Sequence, residues 1–215
     1  MLSQKNIFLK KEGDSYFKRN YLKIKNRNYA KDRLTNVVQK VIKNYKNNLS
    51  ILAVGCCDGG MLNFLSHKYK KIKCFGIDPS SLAIKSQKNK KIILKKATAD
   101  KIPFKSNKFD ILVFNFCLYL CDDNDLSKIV FETDRVTKKN SFLIIYDFHY
   151  PGITYVKYKH LKKIFSRKMD NSKIFLWHPN YNLVRKKIMS HKGDKLFRDE
   201  NLNKVSISIL KKSNV

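Results

Sequence analysis

An α/β fold, doubly wound around a mostly parallel seven-stranded sheet with an antiparallel closing strand, is predicted by three observations. Short apolar runs alternate with helical stretches from residue 51 to residue 146. A glycine-bearing turn joins the first run directly to a helix, and the last two runs, 183–189 and 205–210, have no helix between them. Strand–helix alternation makes a parallel sheet covered on both faces. Two consecutive strands without a crossover must pair antiparallel and close one edge.

Residues 1–27 are polar, basic and aromatic (Phe8, Tyr16, Phe17, Tyr21), as in a helical arm or lid. From Arg33, the positions Leu34, Val37, Val38, Val41, Ile42 and Tyr45 follow helical spacing. This gives a division into an arm over 1–48 and a binding domain over 49–215. The first strand is 51–54, and the helix over 59–69 buries Met61, Leu62, Phe64, Leu65 and Tyr69. The second strand, 73–77, leads to a helix opening at Pro79. Runs 92–94, 111–116 and 142–146 are the third to fifth strands. Between the last two, Asp122 or Asp123 caps a helix bearing Leu126, Ile129, Val130, Thr133 and Val136.

A chain of 215 residues with 43% hydrophobic content suits one domain with a short accessory segment. No apolar run approaches the roughly 20 residues a membrane span requires, and the N-terminus lacks a signal-peptide core. A cytoplasmic protein is expected. Five cysteines, Cys56, Cys57, Cys74, Cys117 and Cys121, fit buried thiols in a reducing compartment, and their spacing argues against a metal site. The net charge of +29 points to phosphate-rich partners such as RNA, or to coding bias. Lysine outnumbers arginine more than fivefold and is scattered, which favours bias.

The chemistry gathers at the carboxyl ends of the strands. I-L-A-V-G-C-C-D-G-G (51–60) runs from strand through turn into helix, setting backbone N–H groups against a ligand. Asp78 closes the second strand in G-I-D-P-S, 23 residues beyond Gly55, one strand–helix–strand unit away. A carboxylate there can accept both hydroxyls of a ribose. T-A-D-K-I-P-F (98–104) follows the third strand, and S-N-K-F-D (106–110) opens the fourth.

This succession resembles the class I S-adenosylmethionine-dependent methyltransferases, specifically the methyltransferase type 11 group, over about residues 50–148. L-Y-L-C-D (118–122), E-T-D-R-V (132–136) and I-I-Y-D-F (144–148) also resemble methyltransferases found among surface-polysaccharide genes. The resemblance implies a Rossmann-like fold and S-adenosylmethionine as cofactor. It implies that Gly55, Cys56, Cys57 and Gly59 border its methionine and ribose, and that Asp78 holds the ribose hydroxyls beside Pro79. Thr98, Ala99 and Asp100 would border the adenine, and Asn115, Phe116 and Cys117 the methionine. Two residues depart from the pattern: Ala53 stands for the family's acidic residue, and Cys57 for its middle glycine. A Cβ at positive φ costs ~1–2 kcal/mol. A nicotinamide dehydrogenase is disfavoured, since the stretch after Gly55 lacks G-x-G-x-x-G.

The fourth strand ends N-F-C-L, not the N-P-P-Y type used on nucleobase amines, and no Pro-Cys pair exists for attack on a pyrimidine. An oxygen of a small molecule or sugar is therefore the first expectation. RNA comes second, and a Rossmann-like binding protein that has lost catalysis third. A hydroxyl acceptor benefits from a base, and His149, oriented by Asp147, follows the fifth strand at the edge where acceptors sit. His160 and Tyr119 are weaker candidates; His67, His178 and His191 read as structural or exposed. Tyr150, Tyr155, Tyr158 and Trp177 are candidates to roof a substrate pocket or to fill core.

Overall fold

The computed structural model of the chain describes residues 3–22, 27–191 and 201–213. Its strands are β1 Leu49–Val54, β2 Ile72–Asp78, β3 Ile92–Lys96, β4 Phe109–Asn115, β5 Thr137–Phe148, β6 Thr154–Lys157, β7 Phe165–Lys168, β8 Tyr181–Ser190 and β9 Lys204–Lys212. Its helices are α1 Gln4–Ile7, α2 Gly13–Phe17, α3 Arg33–Ile42, α4 Gly60–Lys68, α5 Ser81–Ser86, α6 Leu126–Val136 and α7 Lys173–Leu176. Wide π-type turns, Phe8–Glu12 and Lys18–Leu22, join α1 to α2 and extend it, so 4–22 is one helical arm.

Seven strands form a sheet in the order β3-β2-β1-β4-β5-β9-β8. β1 to β5 pair in parallel, whereas β9 runs antiparallel to both β5 and β8. The expected sheet is thus present, closed by an antiparallel hairpin in which the later strand, β9, takes the inner place. β6 and β7 make a separate hairpin between β5 and α7.

The sheet is buried on both faces, which is why its strands read as continuous apolar runs. One face packs Leu52, Val54, Leu112 and Phe114 against Ile129 and Val130 of α6 and Phe175 of α7. The other packs Ile51, Ala53, Ile111 and Ile144 against Leu34, Val38 and Val41 of α3 and Leu62 and Leu65 of α4. Leu52, Leu62 and Phe114 have no exposed surface, so truncating any of them to Ala costs ~2–5 kcal/mol.

The caps differ in detail from the sequence expectation. Helix α5 begins at Ser81, and the Ser80 side chain, one residue after Pro79, accepts from the Ala83 N–H. Helix α6 has no side-chain cap. Asp122 caps a different helix: its two oxygens accept from the N–H groups of Gln4 (3.0 Å) and Lys5 (2.9 Å) and anchor the arm. A carboxylate at a helix start complements the dipole wherever its own chain segment lies.

Candidate active site

β1 and β4 lie side by side, but the chain leaves them toward opposite ends of the sheet. The crevice outside their carboxyl ends is where doubly wound folds hold ligands. The turn 55–59 forms its floor. Gly55 (φ +69°) is required there, because a Cβ would come within 2.7 Å of Cys117 Cβ. Cys57 also has positive φ, 55°, so the strain expected from the sequence is present. The Cys57 thiol packs with Phe17 of the arm and Ala83 of α5 in a small apolar cluster. Burial raises its pKa, so it stays a neutral thiol.

Asp78, at the end of β2, is fixed by two backbone donors, Cys57 N–H to Oδ2 (2.8 Å) and Ser80 N–H to Oδ1 (2.9 Å). Burial pushes its pKa up to about 6 despite these bonds. Around it the cleft is lined by Gly55, Cys57, Pro79, Thr98, Ala99, Asp100, Asn115, Phe116 and Cys117. These ten residues, read singly from distant parts of the sequence, are brought together. Cys56 and Gly59 are not among them. The Cys56 thiol occupies the space a Cβ on Gly76 would need, and Gly59 faces Ile92 and Leu94. Both border a second chamber instead.

The arm roofs the cleft with Lys5, Phe8, Gly13, Tyr16, Phe17 and Tyr21. Besides the Asp122 cap, four sets of contacts hold it down. Lys5 Nζ bridges Asp100 (2.6 Å) and Asp125 (2.8 Å). Although burial alone would lower its pKa, the two carboxylates hold that ammonium up to about 12. Asp14 accepts from Ser80 Oγ (2.6 Å) and Leu82 N–H (2.9 Å). Gly13 lies so close that a Cβ would sit 3.1 Å from Ser80 N. Buried Glu12 accepts from Arg19 and from the Tyr158 hydroxyl (2.9 Å). The sequence marked the arm as basic and aromatic but gave no sign of its partners outside the arm, which lie 66 to 146 residues away.

The second chamber shares Tyr16, Tyr21, Asn115 and Phe116 with the cleft. Beyond them its wall carries Tyr119, Tyr146, Phe148 and His191, with Arg19 and Arg27 at the arm side. Phe116, also at positive φ (47°), is the hub of this wall. Its ring meets those of Tyr146 (4.5 Å between centroids), His191 (5.4 Å) and Phe148 (5.5 Å). Burial raises the phenols of Tyr16, Tyr21 and Tyr119, so they act as neutral donors and acceptors. His191 is exposed, and its N–H donates to the Asn203 carbonyl (2.9 Å). The sequence reading of His191 as structural or exposed did not place it on this wall, because β8 reaches the wall only through its pairing with β9.

His149 and Asp147 do not form the expected pair. The buried Asp147 carboxylate accepts from the N–H groups of Leu118 (2.9 Å), Tyr119 (3.3 Å) and Phe148 (2.7 Å), which fastens the turn after β4. Burial raises its pKa to about 7. Successive residues of a strand face opposite ways, and that alternation gives Asp147 to the interior. His149 borders neither the cleft nor the chamber. Its Nδ1 is buried without a partner, and burial lowers its pKa, with Asp170 acting in the opposite sense. Tyr155 and Trp177 are exposed, and Tyr158 anchors the arm. Among the described residues no three His, Cys, Asp or Glu side chains converge as a metal would need.

A methyltransferase-domain family model matches residues 52–145, the segment running from β1 to β5. Among solved structures, the fold is similar to that of the 1,6-didemethyltoxoflavin-N1-methyltransferase of Burkholderia thailandensis. The TM-score is 0.69 at 8% identity, over 96% of this chain and 88% of that one. It is also similar to an S-adenosylmethionine-dependent methyltransferase from Methanosarcina mazei (0.63, 18% identity, 80% and 97%). A further match is one from Mesorhizobium loti (0.65, 10%, 86% and 100%). No curated protein matches the chain in sequence. The segment from β1 to β5 thus carries a methyltransferase domain, and the fold around it is the one these S-adenosylmethionine-dependent methyltransferases share. The residues present fit that cofactor: a cradle at Gly55 that any Cβ would fill, and a carboxylate at the end of β2 held in place by backbone donors.

Proposed function

We propose that the chain methylates a hydroxyl oxygen of a small, ring-shaped acceptor of sugar size, held in the second chamber. The observation that supports this most is the shared wall. Asn115 and Phe116, at the end of β4, border both the cofactor cleft and the aromatic chamber, so two bound molecules would meet there. When bound, S-adenosylmethionine would supply a sulfonium methyl open to in-line displacement, with the neutral thioether as leaving group. The chain's own part is to bind, align and exclude water. Asp78 would accept the ribose hydroxyls, Pro79, Thr98, Ala99 and Asp100 would border the adenine, and Gly55, Asn115 and Cys117 the methionine.

The arm over 1–48 acts in this reading as a lid in its first half, closing through Lys5 and Asp14. Aromatic walls stack on a flat ring, and the tyrosine hydroxyls give it hydrogen-bond partners without burying a charge. His191 stands on this wall, and its imidazole nitrogen would take the proton of the acceptor hydroxyl. The test is a methyl-transfer screen over hydroxylated sugars and phenols, with polynucleotides in parallel. We expect label on a small acceptor; label on RNA alone would overturn the reading.

A further inference from the structure

Exposed apolar side chains are concentrated in one place. Of the eleven large hydrophobic residues exposed among the described residues, four lie within 153–165: Ile153, Tyr155, Leu161 and Phe165. This segment is the β6–β7 hairpin, which stands apart from the main sheet. Lys157 and Phe165 are paired across it and therefore share a face, with Tyr155 next along the same face. Buried Tyr158 and Ile164 pin the connecting loop, the Tyr158 N–H donating to the Ile164 carbonyl (2.9 Å). The remaining loop residues, Lys159, His160, Leu161, Lys162 and Lys163, are exposed. Between Phe148 and Met169 the sequence contains no Asp or Glu.

We infer that this hairpin is a docking surface for an anionic lipid bilayer. A cluster of exposed aliphatic and aromatic side chains on a rigid hairpin marks an interaction site. Four exposed lysines, Lys157, Lys159, Lys162 and Lys163, outnumber the Asp123 carboxylate that accepts from the Tyr155 hydroxyl, and make its potential complementary to anionic headgroups. Each class of side chain has a separate part. The lysines stay among the headgroups while Ile153, Leu161 and Phe165 reach the acyl boundary. A polynucleotide matches the same charge but leaves the aliphatic side chains Ile153 and Leu161 without a role, and the hairpin's exposed cations are lysines, not arginine forks. The surface lies beside the lid, since the Phe165 N–H donates to Gln4 Oε1 (2.6 Å) and Tyr158 holds Glu12.

The experiment is co-sedimentation of the full chain with phosphatidylcholine vesicles, with and without about 30% phosphatidylglycerol, in about 0.15 M salt. Retention on the anionic vesicles should exceed that on neutral ones by about tenfold or more. The double variants Ile153→Ser/Phe165→Ser and Lys162→Glu/Lys163→Glu should each reduce it by at least about fivefold. Both should keep the parent's affinity for S-adenosylhomocysteine, since neither touches the cleft. Absence of vesicle binding overturns the inference. So does unchanged retention of both variants, which would assign binding to the overall charge. Loss of tRNA retention with vesicle retention intact would hand the surface to a nucleic acid.

Discussion

Asp78 and Cys57 show how one residue can be both expected and altered in meaning by its surroundings. With a pKa of about 6, Asp78 sits at the edge of the physiological range. In the proposed role its ionised form would accept ribose hydroxyls, so cofactor affinity should be flat above about pH 7 and fall as pH drops through 6. Calorimetric titration with S-adenosylhomocysteine from pH 5 to 8 checks this, and Asp78→Asn should abolish the slope while weakening binding by about tenfold or more. The effect on folding has the opposite sense. A carboxyl whose folded pKa is raised favours the folded state below its unfolded value near 4 and loses that stability as pH rises through the folded one. Asp78 and Asp147, at about 6 and about 7, should therefore make the unliganded protein less stable at pH 8 than at pH 5. At Cys57, Cys57→Gly relieves positive-φ strain of ~1–2 kcal/mol but removes a contact with Phe17 and Ala83. Cofactor affinity should be unchanged or tighter; clear weakening would mean that the thiol itself touches the ligand. His191→Ala should lower turnover ~10²–10⁴-fold and spare cofactor affinity, which a purely structural histidine would not do.

Among elements, the arm links sequence, packing and function most directly. Its two polar clasps, Lys5 to Asp100 and Asp125, and Asp14 to Ser80 and Leu82, tie it to the segments that follow β2, β3 and β4. Lys5→Ala and Asp14→Ala should each raise the rate of cofactor release severalfold without lowering the melting temperature greatly, because the sheet core lies elsewhere. Stopped-flow displacement reads the rate and a thermal melt the stability; equal release rates in parent and variants would show that the arm does not gate the cleft. Sequence reasoning recovered what local chemistry encodes. Strand–helix alternation gave β1 to β5, and a glycine turn followed by an acid 23 residues on gave the cleft. It did not recover what depends on pairing at a distance. Asp122 read as the cap of the next helix and caps the arm instead. The β6–β7 hairpin lacks clean alternation because its exposed face carries Tyr155 and Phe165, so no strand was expected there and its aromatics read as pocket roof or core. His191 joins the chamber only because β9 inserts between β5 and β8.

At the scale of the whole molecule, a net charge of +29 on 215 residues must repel itself and attract any polyanion. Most described lysines are exposed and dispersed over the surface, so salt screens them efficiently. The melting temperature should therefore rise as salt is raised from about 0.01 to about 0.3 M, because screening removes repulsion that the unfolded chain feels less. The same screening separates adhesion from recognition. A protein that neutralises six to ten phosphates loses ~10³–10⁵ in affinity between 50 and 200 mM salt, and one without a shaped site keeps nothing specific above that range. RNA adhesion should thus be measurable at low salt, vanish near about 0.15 M, and show no preference between tRNA and ribosomal RNA. Methyl transfer to a small acceptor should vary little over the same series, since in the proposed reading the rings and hydroxyls of the second chamber would carry most of its binding. Filter binding and methyl transfer, run together across salt, decide between the two acceptor classes. Sub-micromolar, fold-selective RNA binding that persists at about 0.15 M, with label incorporated into RNA, would make the charge functional and the chamber's acceptor a nucleotide.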